Sequence, residues 1–198
     1  MVERILTTPI SEGDVRRLRV GDVVRISGEM FTARDEAHHR ALQWAEEGRD
    51  LPMDVEGLPM YHSGPLAREI EGGWRIISAG PTTSARMEQF ESDFLKLFKV
   101  PVIIGKGGMG RRTADAMKEH GAIYTAFTGG AGALAAQSIV EVQGVDWLDL
   151  GMPEALWHLR MERFGPLVVT IDSHGDNLHE VLQGEFEANV RRIRQMLI

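Results

Sequence analysis

A group of hydroxyl side chains and one arginine follows a predicted strand near the middle of the chain. The segment Gly80–Arg86 reads GPTTSAR, with Arg86 one helical turn after Thr82. Hydroxyls at a strand-to-helix junction usually cap the helix by accepting a hydrogen bond from a free backbone N–H. A helix N-terminus with hydroxyls and a guanidinium also binds carboxylates or phosphates well. The residues alone therefore leave two interpretations open, a helix cap and an anion site.

A glycine-rich loop follows another predicted strand, at 100–105. From Gly105 to Gly110 the loop has the G-x-G-x-x-G spacing of a dinucleotide-binding turn. Such a site also needs an acidic residue about 20 positions further on to hold a ribose, yet 120–140 contains no acid. Lys106 within the loop suits a small anion equally well. A dinucleotide-dependent enzyme is thus one hypothesis, weakened by the missing acid.

Arg34 is a further candidate functional residue, and it lies at the start of a helix predicted over 34–47. An acidic residue in the first turn, such as Asp35, interacts favourably with the helix dipole. On that interpretation Arg34 is a solvated surface residue. If Arg34 instead binds a ligand, Asp35 orients it or only caps the helix. The neighbouring pair His38–His39 cannot bind one metal ion together, because adjacent helical side chains diverge.

The composition is that of an acidic, cysteine-free globular protein. It has 198 residues with 22 Lys plus Arg against 29 Asp plus Glu, so the formal net charge is −7. This balance argues against a general nucleic-acid binder, which usually presents a basic face. The lack of cysteine excludes disulfides, a thiol nucleophile and a cysteine-ligated metal cluster held by this chain alone. No apolar run approaches the ~18 residues of a membrane helix, and no export signal is evident. We therefore expect a cytoplasmic protein that binds neither nucleic acid nor membrane.

Strands and helices alternate along the sequence, which predicts an α/β fold. The predicted strands are 22–27, 74–79, 100–105, 122–127, 139–142 and 167–172, and the predicted helices are 34–47, 84–98, 111–120 and 132–138. The Gly/Pro-rich passage 48–65 is predicted as loop with short extended pieces. A last helix is predicted from one apolar face, formed by Leu178, Leu182, Phe186, Val190, Ile193 and Leu197. No repeat or long linker divides the chain, so 1–198 is expected to be a single domain.

Seven segments occur together in an order that resembles one enzyme family. They are GDVVRISGEMFTARDEAHHR, MYHSGPL, ISAGPTTSARMEQF, VIIGKGGMG, AIYTAFTGGAGAL, LDLGMPEALWHL and VVTIDSHGDNL. Over nearly its whole length the sequence resembles the β subunit, or C-terminal domain, of class I fumarate hydratases and L(+)-tartrate dehydratases. The segments GPTTSxRM and IGKGGMG make the resemblance specific when they occur together. The resemblance implies that the α/β fold is a single swivelling-type β/β/α domain.

The resemblance also implies a heteromeric hydro-lyase that works on a dicarboxylate. A separate α subunit would hold a 4Fe–4S cluster on its cysteines, which agrees with a cysteine-free chain here. An iron of that cluster would act as a Lewis acid on the hydroxyl of the substrate. The implied assembly is a β homodimer or a symmetric αβ dimer of dimers.

Individual residues acquire roles from the same resemblance. Thr82 would be the base for the carbon-bound proton, and a hydroxyl needs activation by a neighbouring group for that role. Arg86 and Arg34 would hold the substrate carboxylates. Lys106 would stabilise the aci-carboxylate that forms as the proton leaves. His62, in the YHSGP segment, would bind substrate or only shape the site.

The substrate stays open, because fumarate/malate and tartrate/oxaloacetate enzymes share these motifs. The resemblance favours fumarate hydratase, with L(+)-tartrate dehydratase as the alternative. A more remote alternative is a non-catalytic module that binds a dicarboxylate through the same cationic residues.

Overall fold

Nine strands and six α-helices make up residues 3–196, the part of the chain that the computed structural model describes. The strands are β1 (Glu3–Thr7), β2 (Val23–Thr32), β3 (Met60–Tyr61), β4 (Leu66–Ile70), β5 (Gly73–Ser78), β6 (Val102–Gly105), β7 (Ile123–Ala126), β8 (Ile139–Asp146) and β9 (Leu156–Ile171). The helices are α1 (Glu12–Val15), α2 (Asp35–Glu46), α3 (Glu88–Phe98), α4 (Arg111–His120), α5 (Gly132–Gln137) and α6 (Leu178–Met196). Short 3-10 turns lie at Ser84–Arg86 and Leu148–Leu150. The predicted mixed α/β class is confirmed.

Seven of the strands form one sheet that closes on itself. Neighbouring strands pair in the order β1-β2-β3-β6-β7-β9-β8, and β2 also pairs with β9. The β2–β9 pairing is antiparallel, from Val23 opposite Val168 to Phe31 opposite His158, and it joins β2, β3, β6, β7 and β9 into a ring. Within the ring β2, β3, β6 and β7 are parallel. Their carboxyl ends therefore lie at one edge of the sheet.

Alternating side chains of the ring strands fill two cores. On β6, Val102 and Ile104 belong to a core that collects residues from all five ring strands. Ile103, between them, belongs to a second core shared with α2, α3 and α4. Successive strand residues point to opposite faces, so a strand covered on both sides is a continuous apolar run. This is why β6 was predictable from its sequence.

The main differences from the sequence predictions concern β structure. The strand predicted at 22–27 continues to Thr32, and the one predicted at 167–172 is only the end of β9, which begins at Leu156. β1 and β4 were not predicted. The first half of β9 pairs with both β2 and β8, so partners distant in the sequence stabilise a segment whose own pattern is not typical of a strand.

Helix α6 confirms the predicted last helix, but within the described chain three residues of its apolar face are exposed. Leu182, Phe186 and Ile193 are 51%, 64% and 52% exposed. Leu197, which belonged to the predicted face, lies outside the described residues. Neither α6 nor any other helix within residues 3–196 is long and apolar enough to cross a membrane.

Candidate active site

The candidate residues gather where the parallel strands end. Arg34 follows β2, His62 directly follows β3, and Lys106 directly follows β6. Ligands of α/β proteins commonly bind outside the carboxyl ends of the strands. Thr82 and Arg86 come instead from the turn after β5, whose hairpin with β4 is outside the main sheet. Tertiary structure is therefore needed to bring the two sets together.

Backbone hydrogen bonds hold the turn that carries Thr82 against the ends of β3 and β6. The Thr82 N–H donates to the His62 carbonyl at 2.6 Å, and the Lys106 N–H donates to the Thr82 carbonyl at 3.1 Å. The Ser84 N–H donates in turn to the Lys106 carbonyl at 3.0 Å. Thr82 and Lys106 are thus fixed in adjacent positions, as residues on neighbouring strands would be.

Thr82 and Lys106 are both available to a ligand. Thr82 is half-buried and Lys106 is exposed. In the described part of the chain, the Thr82 hydroxyl makes no hydrogen bond and no carboxylate forms an ion pair with Lys106. An ammonium without a carboxylate partner beside an unbonded hydroxyl suits a group that becomes more anionic during a reaction.

Arg86 is held by a bidentate ion pair with Asp35. The Arg86 Nε donates to Oδ1 at 3.2 Å and Nη2 donates to Oδ2 at 2.7 Å. A guanidinium has five N–H donors in a fixed fork, so the Nη1 side of Arg86 is left for another acceptor. The sequence had suggested that Asp35 orients Arg34 or only caps its helix. This was wrong, because the turn that ends at Arg86 lies beside the first turn of α2.

Arg34 pairs with Glu154, a residue to which the sequence analysis gave no role. The distance from Nη2 to Oε1 is 3.1 Å, and both side chains are less than one fifth exposed, at 19% and 17%. Gly64 lies against Arg34, since a Cβ at this glycine would come within 2.5 Å of Nη1. Glu154 lies in the LDLGMPEALWHL segment, and membership of that segment was the only signal that could have identified it.

His62 is fully buried, beneath Thr82 rather than at the surface of the site. Its Nδ1 lies 2.9 Å from the Ser84 Oγ, and its Nε2 lies 3.2 Å from the Glu91 Oε2. Burial lowers the pKa of His62 to about 3, so the imidazole is neutral under ordinary conditions. In this conformation His62 contacts the segment that carries Thr82 and does not face solvent.

The glycine-rich loop does not present a free helix N-terminus to a pyrophosphate. The N–H of Gly110, which caps α4, donates to the Glu88 Oε2 at 2.6 Å, and the Thr113 N–H donates to Oε1 at 3.2 Å. Gly108 is covered by His179, whose ring would lie 2.4 Å from a Cβ there. A pyrophosphate needs these N–H groups, and Glu88 already occupies them. The geometry argues against the dinucleotide hypothesis.

The candidate site is open to solvent, since Lys106 and Arg86 are exposed and Thr82 is half-buried. A groove of about 570 Å³ lies at the far end of α2, between Gly48 and Leu51 on one side and Phe98 on the other. Neither Thr82 nor Lys106 lines this groove. A second surface would have to cover the edge to exclude water from it.

Comparison with known proteins identifies one family. The family model described as "Fumarase C-terminus" matches residues 2–182. The L(+)-tartrate dehydratase subunit beta of Escherichia coli (strain K12) is 43% identical over 177 residues, which covers 89% of this chain and 87% of that protein. A protein of Geobacillus stearothermophilus named "Putative fumarate hydratase class I" is 45% identical over 179 residues, which covers 90% of this chain but 34% of that protein.

Proposed function

This chain belongs to the fumarase C-terminus family, and from that premise we propose that it is the β subunit of a heteromeric hydro-lyase acting on a dicarboxylate. The most favoured reaction is the reversible hydration of fumarate to L-malate. The observation that carries the proposal is the adjacency of Thr82 and Lys106 at the edge of the sheet where Arg34 and Arg86 also lie.

Thr82 removes the proton from the substrate, and Lys106 stabilises the negative charge that this removal creates. In the dehydration of malate, the Thr82 Oγ1 takes a proton from carbon, and the electron pair of that carbon–hydrogen bond forms the double bond as the neighbouring carbon–oxygen bond breaks. The hydroxyl leaves as hydroxide with the electron pair of its bond, and the proton and the hydroxide together make up the one water that is released. Negative charge develops on the carboxylate next to the carbon that loses its proton. The Lys106 ammonium stabilises that charge, and most strongly once water is excluded. Hydration of fumarate runs the same steps in reverse.

Arg86 and Arg34 supply the forks for the two carboxylates. Asp35 orients Arg86 and leaves its Nη1 side free, and Glu154 orients Arg34. Bidentate pairing with arginine suits the planar carboxylate group. Lys106, which forms no ion pair within residues 3–196, adds the positive charge that attracts a dianion to a protein whose net charge of −7 would otherwise repel it.

Thr82 needs a group from outside the described chain to act as a base. A threonine hydroxyl is a weak base unless a neighbour accepts its own proton. Across residues 3–196 the Thr82 hydroxyl has no hydrogen-bond acceptor. We assign that acceptor to the partner subunit, which would also cover the open edge.

This chain does not itself fit an iron–sulfur cluster. Such clusters are held by cysteine thiolates, and the sequence contains no cysteine. We therefore assign the 4Fe–4S cluster of the enzyme to the α subunit. The edge that exposes Lys106 and Arg86 is the face on which that subunit would complete the site.

Family membership also supports finer structural proposals. Residues 1–198 form a single swivelling-type β/β/α domain, and the two cores that share the ring strands support this view. The assembly is a β homodimer or a symmetric αβ dimer of dimers. A cytoplasmic location is part of the same proposal.

L(+)-tartrate dehydratase is the second candidate, because a relative of that name is a separate subunit of similar length to this chain. The tartrate dehydratase subunit is matched over 87% of its length, whereas the fumarate hydratase is matched over 34%. Identity is similar, at 43% and 45%. A non-catalytic dicarboxylate-binding module is the remote alternative.

An anaerobic assay with the cluster-bearing α subunit tests the function. L-malate and L-tartrate are supplied in parallel, with each subunit alone as a control. Activity is expected only in the mixture, and the faster substrate names the enzyme. Inactivity with both acids despite an intact cluster would contradict the proposal, and calorimetry with malate would then test the binding module.

The role of Thr82 is tested in the same assay by Thr82→Ala. Loss of a general base is expected to lower kcat at least about 100-fold, with little change in KM because the carboxylate forks remain. Thr83→Ala is the matched control, since Thr83 is an exposed hydroxyl in the same turn and should leave kcat unchanged. Wild-type turnover by Thr82→Ala would remove Thr82 from the role of base.

A further inference from the structure

Five buried polar side chains form a network beneath the candidate site. They are Tyr124 on β7, Ser84 in the 3-10 turn, His62 after β3, Glu91 on α3 and His38 on α2, and each is fully buried. We refer to these five residues as the buried network. It extends from the turn that carries Thr82 to the backbone of Arg34, and the proposed chemistry uses none of its side chains.

At one end, the Ser84 hydroxyl can donate to the Nδ1 of His62, which places the ring proton on the Nε2 that faces Glu91. The Tyr124 hydroxyl donates to the Ser84 Oγ at 3.0 Å, and this Oγ lies 2.9 Å from the His62 Nδ1. Because Ser84 accepts from Tyr124, its own proton is available to Nδ1. A neutral imidazole then carries its proton on Nε2, which lies 3.2 Å from the Glu91 Oε2.

At the other end, the opposite tautomer is required. The His38 Nδ1 lies 2.7 Å from the Arg34 carbonyl, which can only accept, so Nδ1 carries the proton. The His38 Nε2 is then a lone pair, and it lies 3.7 Å from the same Oε2 of Glu91. An ionised carboxylate and a lone pair are both acceptors, and they repel each other.

One additional proton resolves this conflict. Within the described structure, both Glu91 oxygens and both Nε2 atoms are buried and have no hydrogen-bond partner, and buried polar groups in that state are costly. A proton on Glu91 removes the negative charge of the carboxylate and with it the repulsion from the His38 lone pair, and the Nε2 of His62 lies 3.2 Å from Oε2. Burial raises the pKa of Glu91 to about 7, and burial lowers the pKa of both histidines.

We propose that Glu91 is protonated in the native protein at mildly acidic pH, and that the buried network it completes positions Thr82 and Arg34 for the reaction. This inference rests on the proposed function. His62 is attached to the Thr82 segment twice, because its carbonyl accepts the Thr82 N–H and its ring contacts the adjacent Ser84. His38 holds the Arg34 carbonyl. Glu91 therefore connects the segments that supply the base and one carboxylate fork, as a positioning residue.

A metal ion is the alternative to a proton between His38, His62 and Glu91. Ligand atoms of His38, His62 and Glu91 lie within 4.8 Å of one another, and two histidines with a glutamate are a known zinc set. A structural zinc site is closed by four protein ligands, whereas no fourth His, Asp or Glu among the described residues joins this group. A proton needs only the three groups present.

Infrared spectroscopy of the full chain tests whether Glu91 is protonated, and it requires no activity measurement. At about pH 6 ordinary carboxylates are ionised, so a protonated carboxyl stretch is expected from Glu91 and should be missing in Glu91→Gln. The band should disappear as pH rises through about 7. The titratable groups around Glu91 are the two histidines, Tyr124 and Glu88, with Asp35 acting on the histidines. Absence of the band, or a stoichiometric metal lost in Glu91→Gln, would overturn the proposal.

Kinetics of the reconstituted enzyme tests the positioning role. The Glu91→Gln side chain is neutral and can donate and accept as protonated Glu91 does, so kcat should stay within about threefold of wild type. Glu91→Leu should lower kcat about 10- to 100-fold, since small misplacements of catalytic groups have such effects, with KM less affected. Thr125→Val is the matched control, because this buried hydroxyl on β7 donates to the Ile103 carbonyl and has no other hydrogen bond among the described residues. Equal kcat in the Gln and Leu variants would contradict the role.

The two proposals fail in distinguishable ways. If the wild-type mixture converts neither malate nor tartrate, the proposed function fails, and the infrared band still decides the protonation of Glu91. If the mixture is active and the band is absent, the function stands and the inference about Glu91 fails.

Discussion

The polar residues of the site differ in how they are held before a substrate binds. Arg86 and Arg34 are each oriented by a carboxylate of this chain, Asp35 and Glu154. Such preorganisation lowers the entropic cost of binding, because the side chains need not be ordered by the ligand. The Thr82 hydroxyl instead makes no hydrogen bond within the described residues. It is therefore available to take a proton from the substrate carbon.

Gly64→Ala tests the position of Arg34. The added Cβ would come within 2.5 Å of the Arg34 Nη1 and 2.8 Å of Pro153, so the guanidinium must move away from its present place. Loss of a charged hydrogen bond costs about 1.5–3 kcal/mol, so KM for the dicarboxylate should rise at least about tenfold. Steady-state kinetics with the α subunit measures this change.

Gly144→Ala is the control for that substitution. Gly144 lies in β8, and a Cβ there meets nothing within 4 Å. KM should therefore stay at the wild-type value. Equal effects of the two substitutions would show that Gly64 does not act through Arg34.

At the scale of elements, short irregular segments place the chemistry, and helices support them. The turn after β5 docks like an extra strand, with bridges between Ser63 and Pro81 and between Thr83 and Lys106. Helix α3 also holds helix α4 in position, because Glu88 in the first turn of α3 accepts hydrogen bonds from backbone N–H groups at the N-terminus of α4. The hairpin β4–β5 thus places the turn that carries Thr82 at the edge of the main sheet.

Helices α3 and α6 are expected to contribute unequally to the free energy of unfolding, and one leucine on each helix tests this. Leu95 on α3 is 1% exposed and Leu182 on α6 is 51% exposed. Leu95→Ala should lower the free energy of unfolding by about 2–5 kcal/mol, and Leu182→Ala by no more than about 0.5 kcal/mol. Urea denaturation of the isolated chain measures both values. A large loss in Leu182→Ala would mean that the apolar face of α6 is covered in solution.

The whole molecule combines an acidic net charge with a locally cationic, open edge. The formal charge is −7, yet Arg86 and Lys106 are exposed where the parallel strands end. Charge stabilisation at such an edge is weak in water and strong once water is excluded. The architecture is therefore suited to a site that a second subunit closes.

Hydrogen exchange tests which face the α subunit covers. Amides in 80–87 and 105–110 should become protected when the subunits are mixed, because these segments form the open edge. The loop 48–56, at the far end of α2, is the internal control and should exchange as before. Protection confined to other surfaces would contradict the assignment of the edge to the α subunit.

The sequence by itself determined the α/β class, most of the helices and the family. These features depend on local signals, such as the apolar run of β6 or the spacing along α4, which near neighbours in the chain encode. The absence of cysteine likewise indicates, from composition alone, that a cluster would belong to another chain. Motifs such as GPTTSAR and IGKGG indicated the candidate residues but not their contacts.

Only the tertiary structure decided what those residues touch. Asp35 pairs with Arg86, which is 51 positions away, and Glu154 pairs with Arg34. His62 is buried among Ser84 and Glu91 rather than exposed. Ion pairs and burial depend on which distant segments the closed sheet brings together, and no local pattern encodes that arrangement. For the same reason a periodic sequence predicted helix α6 but could not show whether its apolar face is covered.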